Sequence, residues 1–221
     1  QHFKANQASP MTQTTNNHHR HQADYDVIII GAGIVGSMIA RELSQYNGRF
    51  ALIEKEPFSG FGVSKANPSM LHSPLMFPSG PLRIKLAYNA AARYKKLASE
   101  LDVTFKEVDE MFLAFDNDQM TKLKAAKAWA DENQVSAGHK IVGPDKIREI
   151  EPHVSQKAIG ALYGKGVSGG IYATEWTFAL TENAVQNGLD LYLNSPVKNI
   201  KRIKDFSFEV STPDGRFKTR Y

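Results

Sequence analysis

"YDVIIIGAGIVGSMIARELSQ" occupies residues 25–45, and "EKE" follows at 54–56. The apolar, β-branched run at 25–30 reads as a strand buried on both faces. From 34 to 46, Ile34, Val35, Met38, Ile39 and Leu43 form one helical stripe, with Arg41, Glu42 and Gln45 opposite. "RFALIEKE" at 49–56 supplies the next strand. Strand, glycine turn, helix and strand predict two parallel strands joined by a right-handed crossover.

Each glycine of the turn has its own physical reason. Gly31 permits the tight turn, Gly33 lets backbone approach a pyrophosphate, and Gly36 allows close helix–strand packing. The free N–H groups and positive dipole end of the helix then face the phosphates. Glu54 stands 18 residues beyond Gly36, at the end of the second strand, with Lys55 beside it. A carboxylate there accepts hydrogen bonds from ribose hydroxyls and disfavours a 2′-phosphate by repulsion. Together these elements are a far stronger signal for an adenine dinucleotide than the glycines alone. They admit both NAD and FAD.

The next segment departs from a simple repeat. A nicotinamide domain continues with a further helix and parallel strand, whereas residues 57–81, "PFSGFGVSKANPSMLHSPLMFPSGP", have no clear period. A loop of this length in a compact domain is usually functional or disordered, and Phe58, Phe61, Met70, Leu71, Leu75, Met76 and Phe77 argue for order. An extended cofactor would use such a segment as a wall. Further helices are predicted over 82–100, 118–133, 144–150 and 174–187, the last with Thr174 as N-cap. Strands are predicted at 104–108, 111–115, 158–164, 189–194 and 197–205. "FSFEVST", a "PDG" turn and "RFKTRY" read as a hairpin begun and cut short at Tyr221.

Composition narrows the classes. Of 221 residues, 42% are hydrophobic and 23% charged, as in an ordinary globular protein. No apolar run is long enough to cross a membrane. With no cysteine, the chain has no disulfide, thiolate or Fe–S ligand of its own, which fits a reducing cytoplasm. The net charge of +4 is spread over helix faces without interleaved aromatics, against a nucleic-acid partner. A weak pull on anionic lipid or substrate is consistent with it. Residues 1–23 are polar, Gln-, Asn- and His-rich, and read as a disordered tail, with Met11 a candidate start. His18, His19 and His21 lie in that tail with no supporting carboxylate, so no metal site is expected. Tyr163, Tyr172, Glu175 and Trp176 read as a packing cluster.

In order along the chain, "YDVIIIGAGIVGSMIARELS…ALIEKE", "SKANPSMLH", "SGPLRIKL", "EPHVSQKAIGALY" and "ALTENAVQNG…NSPVKNI" resemble flavoproteins of the D-amino-acid oxidase superfamily. The branch they resemble most contains the FAD-dependent glycerol-3-phosphate dehydrogenases and L-2-hydroxyglutarate oxidases, and the likeness runs from about residue 24 to the end. It implies an α/β fold in which a Rossmann-like FAD-binding domain is interleaved with an α+β substrate domain, the C-terminal part of the family fold being missing. On that reading 24–81 and 174–200 belong to the FAD domain, 82–173 to a helix and the start of the substrate domain, and 201–221 to a truncated hairpin.

The resemblance also implies site residues. Gly31, Gly33 and Gly36 would hold the pyrophosphate, Glu54 and Lys55 the ribose region, and Ser64, Lys65 and Asn67 the diphosphate and flavin side. Val197 would meet the adenine through its backbone. His72 matches a histidine near the flavin ring, where an imidazole can take an alcohol proton as hydride passes to the flavin. Arg83 and Lys85 match a basic segment that would attract an anionic substrate. Departures fall at Pro68, Ser69 and Pro74, where the family carries a small residue, Gly and Gly.

The expected activity is oxidation of a small hydroxy acid or polyol phosphate, with oxygen, a quinone or a redox partner as acceptor. The setting implied is cytoplasmic or membrane-peripheral. The rival expectations are a degenerate nucleotide-binding fragment without catalysis and an NAD-dependent dehydrogenase.

Overall fold

Strands β1 (Val27–Ile30) and β2 (Phe50–Ile53) pair in parallel across helix α1 (Ile34–Leu43), as the crossover reading predicts. This geometry comes from a computed structural model that describes residues 23–76, 81–136, 138–203 and 207–221. The His18–His21 run, and the tail but for its last residue, lie outside that set.

A third parallel strand, β7 (Asp190–Tyr192), joins the far edge of β2, so β2 is central and buried along its whole length. Alternation then decides which side chain meets which layer. Ile29, Phe50 and Leu52 pack with Ala40 of α1 and Ala184 of α5 (Ala173–Gln186). Ile28, Ala51 and Ile53 pack on the opposite face with Tyr25 and Val210. That second layer is an antiparallel meander of β8 (Asn199–Arg202), β9 (Phe208–Thr212) and β10 (Gly215–Thr219). The segment expected to hold only the start of a hairpin therefore holds both of its strands. Beyond it the chain reaches the outer edge of β1, where the Tyr221 N–H donates to the Asp26 carbonyl and the Ile28 N–H to the Tyr221 carbonyl.

A separate antiparallel sheet is built on the twelve-residue β6 (Gly160–Ile171). One edge of β6 carries β4 (Phe105–Ala114), and the other carries β3 (Met70–Leu71) and β5 (Lys140–Val142). The two strands expected at 104–108 and 111–115 are one strand, broken in register between Val108 and Glu110. At that bulge Asp109 turns its carboxylate outward, accepting the Gly166 N–H at 2.9 Å and the Tyr163 hydroxyl. Helix α3 (Asn117–Glu132) starts at Asp116, whose side chain accepts the Gln119 N–H, while Gln119 Oε1 accepts the Phe115 N–H. Proline opens both α2 (Pro81–Leu101) and α4 (Pro144–Ile150), where its missing N–H is one the first turn leaves unpaired anyway. Helix α5 is capped by Tyr172, not by Thr174. The chain is still extended at Tyr172 on leaving β6, and Thr174 already lies inside the first turn.

The parallel sheet's helical layer and the β6 sheet are joined through Trp176, which is fully buried among Leu97, Ala98, Ile171 and Leu180 and donates from Nε1 to the Thr104 carbonyl at 2.8 Å. Glu175 accepts from the Thr104 N–H and hydroxyl beside it. Tyr172 is exposed and Tyr163 sits at the far end of β6, so the expected aromatic cluster reduces to Trp176 with Tyr94.

Two backbone features give direct tests. A Cβ on Gly36 would lie 1.9 Å from the Gly31 carbonyl oxygen. Gly36→Ala is expected to lower unfolding free energy by about 3 kcal/mol or more. An unchanged urea midpoint would disprove that close approach. Ser69 has φ of 59°, in the left-handed region. Ser69→Gly should relieve roughly 1–2 kcal/mol of backbone strain, offset in part by greater freedom of the unfolded chain. The net expectation is a gain of up to about 1 kcal/mol, and Ser69→Val should lose at least as much. A thermal melt in which Ser69→Gly is the less stable protein would contradict this.

Candidate active site

The carboxyl ends of β1, β2 and β7 carry most of the cofactor-binding residues expected from the sequence. Gly31 turns the chain at φ of 99°, its N–H held by the Ile53 carbonyl at 2.7 Å. A Cβ on Gly33 would meet nothing nearer than Ser64 Oγ at 3.4 Å, so the space over the turn is open, as a phosphate requires. Ser64 Oγ accepts the Ile34 N–H at 2.9 Å and so stands over the first turn of α1. No acidic side chain occupies that turn. The helix therefore offers N–H groups and its positive dipole end to an anion.

Glu54 lies beneath this turn and is nearly buried. Its Oε2 accepts the Ala32 N–H at 2.6 Å and its Oε1 the Glu56 N–H at 3.0 Å. The carboxylate thus braces the glycine turn, and each oxygen keeps a lone pair for a further donor. The 193–197 segment runs alongside, with the Ser195 N–H on the Glu54 carbonyl, and Val197 packs on the Tyr25 and Ile53 cluster. Gly31, Gly33, Gly36, Glu54, Ser64 and Val197 are all placed around one strand end.

Three other residues of the expected cofactor set have partners within the chain. Lys55 is exposed and pairs with Glu56 at 3.6 Å. Lys65 sits 3.3 Å from the centre of the Phe61 ring, a cation–π contact. Asn67 is used within its own loop, donating to the Ser64 carbonyl at 2.6 Å and accepting the Ser69 N–H at 2.8 Å. Arg83 and Lys85 fall at the start of α2, and their side chains lie outside the described residues.

His72 is the residue after β3 and is partly buried. It lines a cavity of about 520 Å³ with Tyr88, Tyr94, Lys95, Glu107 and Lys165. Lys95 pairs with Glu107 at 2.9 Å, which leaves Lys165 to give the rim a net positive charge. Beneath the loop lies a group that the sequence did not reveal. Ser73 and His139 are buried, and Ser73 Oγ and His139 Nε2 both face Glu110 Oε2, the latter at 3.3 Å. Burial pushes the Glu110 carboxyl up, but hydrogen bonds from His139 and Ser73, with the His139 charge, outweigh it and hold Glu110 below the ordinary range. These partners are 29 and 37 residues from Glu110, and no local period signals them. Among the described residues there is no metal-ligating cluster and no helix long and apolar enough to cross a membrane.

Residues 26–221 match the DAO family, described as FAD dependent oxidoreductase. A glycerol 3-phosphate dehydrogenase of Caloramator mitchellensis is 40% identical over 89% of this chain, and the match covers 40% of that protein. A mitochondrial L-2-hydroxyglutarate dehydrogenase of Caenorhabditis briggsae is 26% identical over 84% of the chain and 43% of its own length. The crystal structure of glycine oxidase from Geobacillus kaustophilus superposes with a TM-score of 0.78 at 28% identity, covering 90% of this chain and 54% of that one. The chain thus spans about half, or less, of the proteins it matches. With the family pattern matched along nearly its whole described length, the chain belongs to the DAO family of FAD dependent oxidoreductases.

Proposed function

We propose that the chain binds FAD on the glycine turn and serves the oxidation of a small anionic hydroxy acid or polyol phosphate. The observation that carries this is the continuity of the site. An open helix N-terminus and a buried acid meet at one strand end. The segment that begins at Ser64 then leads to His72 at the cavity. The residues present fit an adenine dinucleotide, because Gly33 leaves room over the turn and Glu54 retains acceptor capacity.

In this reading Gly31, Gly33 and the first turn of α1 hold the pyrophosphate, and Ser64 borders it. Glu54 accepts from the ribose, and the 193–197 segment borders the adenine. Lys65 and Asn67 shape the loop and do not ligate, and Lys55 stays in solvent. FAD, when bound, supplies the two-electron acceptor. His72 takes the proton of the substrate hydroxyl, so that no free alkoxide forms. The positive rim at Lys165, with Arg83 and Lys85 as further candidates, draws the substrate's anionic end. Residues 24–81 and 174–200 make up the cofactor part and 82–173 the substrate part. The acceptor that restores the oxidised state is oxygen, a quinone or a protein partner, in a cytoplasmic or membrane-peripheral setting.

FAD titration followed by absorbance and flavin fluorescence tests the binding half of this reading. Glu54→Ala is expected to weaken FAD binding roughly 10- to 100-fold, the effect of losing charge-assisted hydrogen bonds. A protein that takes up NADH and no flavin would overturn the assignment. Anaerobic bleaching by glycerol 3-phosphate or L-2-hydroxyglutarate tests the chemical half. His72→Asn should retain flavin and slow bleaching by about 10²- to 10⁴-fold. Bleaching at the parent rate would remove His72 from the chemistry.

A further inference from the structure

We propose that Glu110 is a positioning residue for His72, acting through Ser73, with His139 as its buried partner. The proposal rests on the reading of His72 as the base.

His72 is held from both sides. On one side β3 pairs with β6 through Leu71 and Gly169, and the Ser168 hydroxyl donates to the Leu71 carbonyl at 2.5 Å. On the other, the fully buried Ser73 donates to Glu110 Oε2. The Ser73 backbone N–H bonds the same carboxylate, so two bonds tie the chain to Glu110 just after β3 ends at Leu71. The carboxylate that Ser73 uses is itself fixed. His139 Nε2 lies 3.3 Å from Glu110 Oε2, and His139 Nδ1 lies 2.6 Å from the Ser136 carbonyl. Both ring nitrogens face oxygen atoms, so the ring is held at both edges. The His139 side chain is fully buried and that of Glu110 is 12% exposed, which keeps water from replacing either bond.

A buried carboxylate held by hydrogen bonds is a weak source of net stability, since desolvation offsets the attraction. It is a strong source of geometry, because a misdirected partner leaves a charge unpaired in the interior. Here the fixed point is one residue from His72. The three groups come from the 72–76 turn, from β4 and from the turn before β5, so the network also sets the loop against the sheet.

The test uses the full chain and two variants. Ser73→Ala removes the hydroxyl link to the loop and leaves the bond that the Ser73 backbone N–H makes to Glu110. With FAD bound, it is expected to leave KM and flavin affinity within about twofold and to lower kcat about 10- to 100-fold, the loss that goes with misplacing a reacting group by about an ångström. Independently of flavin, the ¹⁵N resonances of the His72 ring, assigned by their loss in His72→Asn, should shift in Ser73→Ala. Glu110→Gln keeps an acceptor for Ser73 but removes the charge, and should move the same resonances. Parent kcat and unmoved His72 resonances in both Ser73→Ala and Glu110→Gln would show that Glu110 only ties β4 to the turn before β5. If Ser73→Ala fails to fold, unmoved resonances in Glu110→Gln overturn the proposal. If the parent chain binds no flavin, the flavin reading fails while the His72 resonances still decide the positioning role.

Discussion

The Gly31 carbonyl oxygen occupies the place where any side chain at residue 36 would begin. That contact presses α1 against β1, and much of the remaining structure depends on it. A helix held this close must enter directly from the strand end, so its first N–H groups open at the edge of the sheet rather than over its face. Gly31 therefore needs the positive φ it has, and Ala32, fully buried behind it, can offer its N–H to Glu54 from below. The acid is fixed by the turn and the turn by the acid. Both the open helix end and the adjoining carboxylate arise from one steric requirement.

The β6 sheet has no such local logic and is held by packing. Trp176 fills the space between α2, α5 and the end of β6, and its single polar atom finds the Thr104 carbonyl. Loss of a buried side chain of this size removes about 3–5 kcal/mol in a typical core, an appreciable share of a domain's net stability. The joint also orients the site. Tyr94 of α2 and Phe105 of β4 pack into the Trp176 cluster while lining the cavity at His72. The cavity walls are thereby held to the layer that carries the glycine turn.

How much of this was legible depended on the distance between interacting residues. The β1–α1–β2 unit was readable because its signals lie within 30 residues and repeat with helix or strand period. The meander was half readable. Its "PDG" turn is local, but the place of β10 against the Tyr25 and Tyr192 rings is not. The break in β4 looked like two strands because a bulge interrupts alternation as a turn does. The resemblance placed His72 without its surroundings. Ser73, Glu110 and His139 are brought together only by tertiary pairing, and a Glu on a strand otherwise reads as a solvated face. Lys65 and Asn67 show the complementary case. Their types suit a phosphate site, but a nearby ring and nearby carbonyls take them first.

The loop from Ser64 to Ser73 is better described as zipped to its neighbours than as a free connection. Ser64 is bonded at α1, Ser69 receives the Ile171 N–H, Met70 and Leu71 pair with Gly170 and Gly169, and Ser73 reaches Glu110. A slip of one residue would turn every side chain to the opposite face. His72 would leave the cavity, and Ser73 would leave the carboxylate below it. The left-handed backbone at Ser69 is therefore tolerated because bonds on both sides determine the register, and strain of this kind persists only where its surroundings over-determine it. Proline before and a left-handed residue at the start of β3 leave this loop few alternative paths. It needs few, since the same chain must meet the glycine turn at one end and the antiparallel sheet at the other.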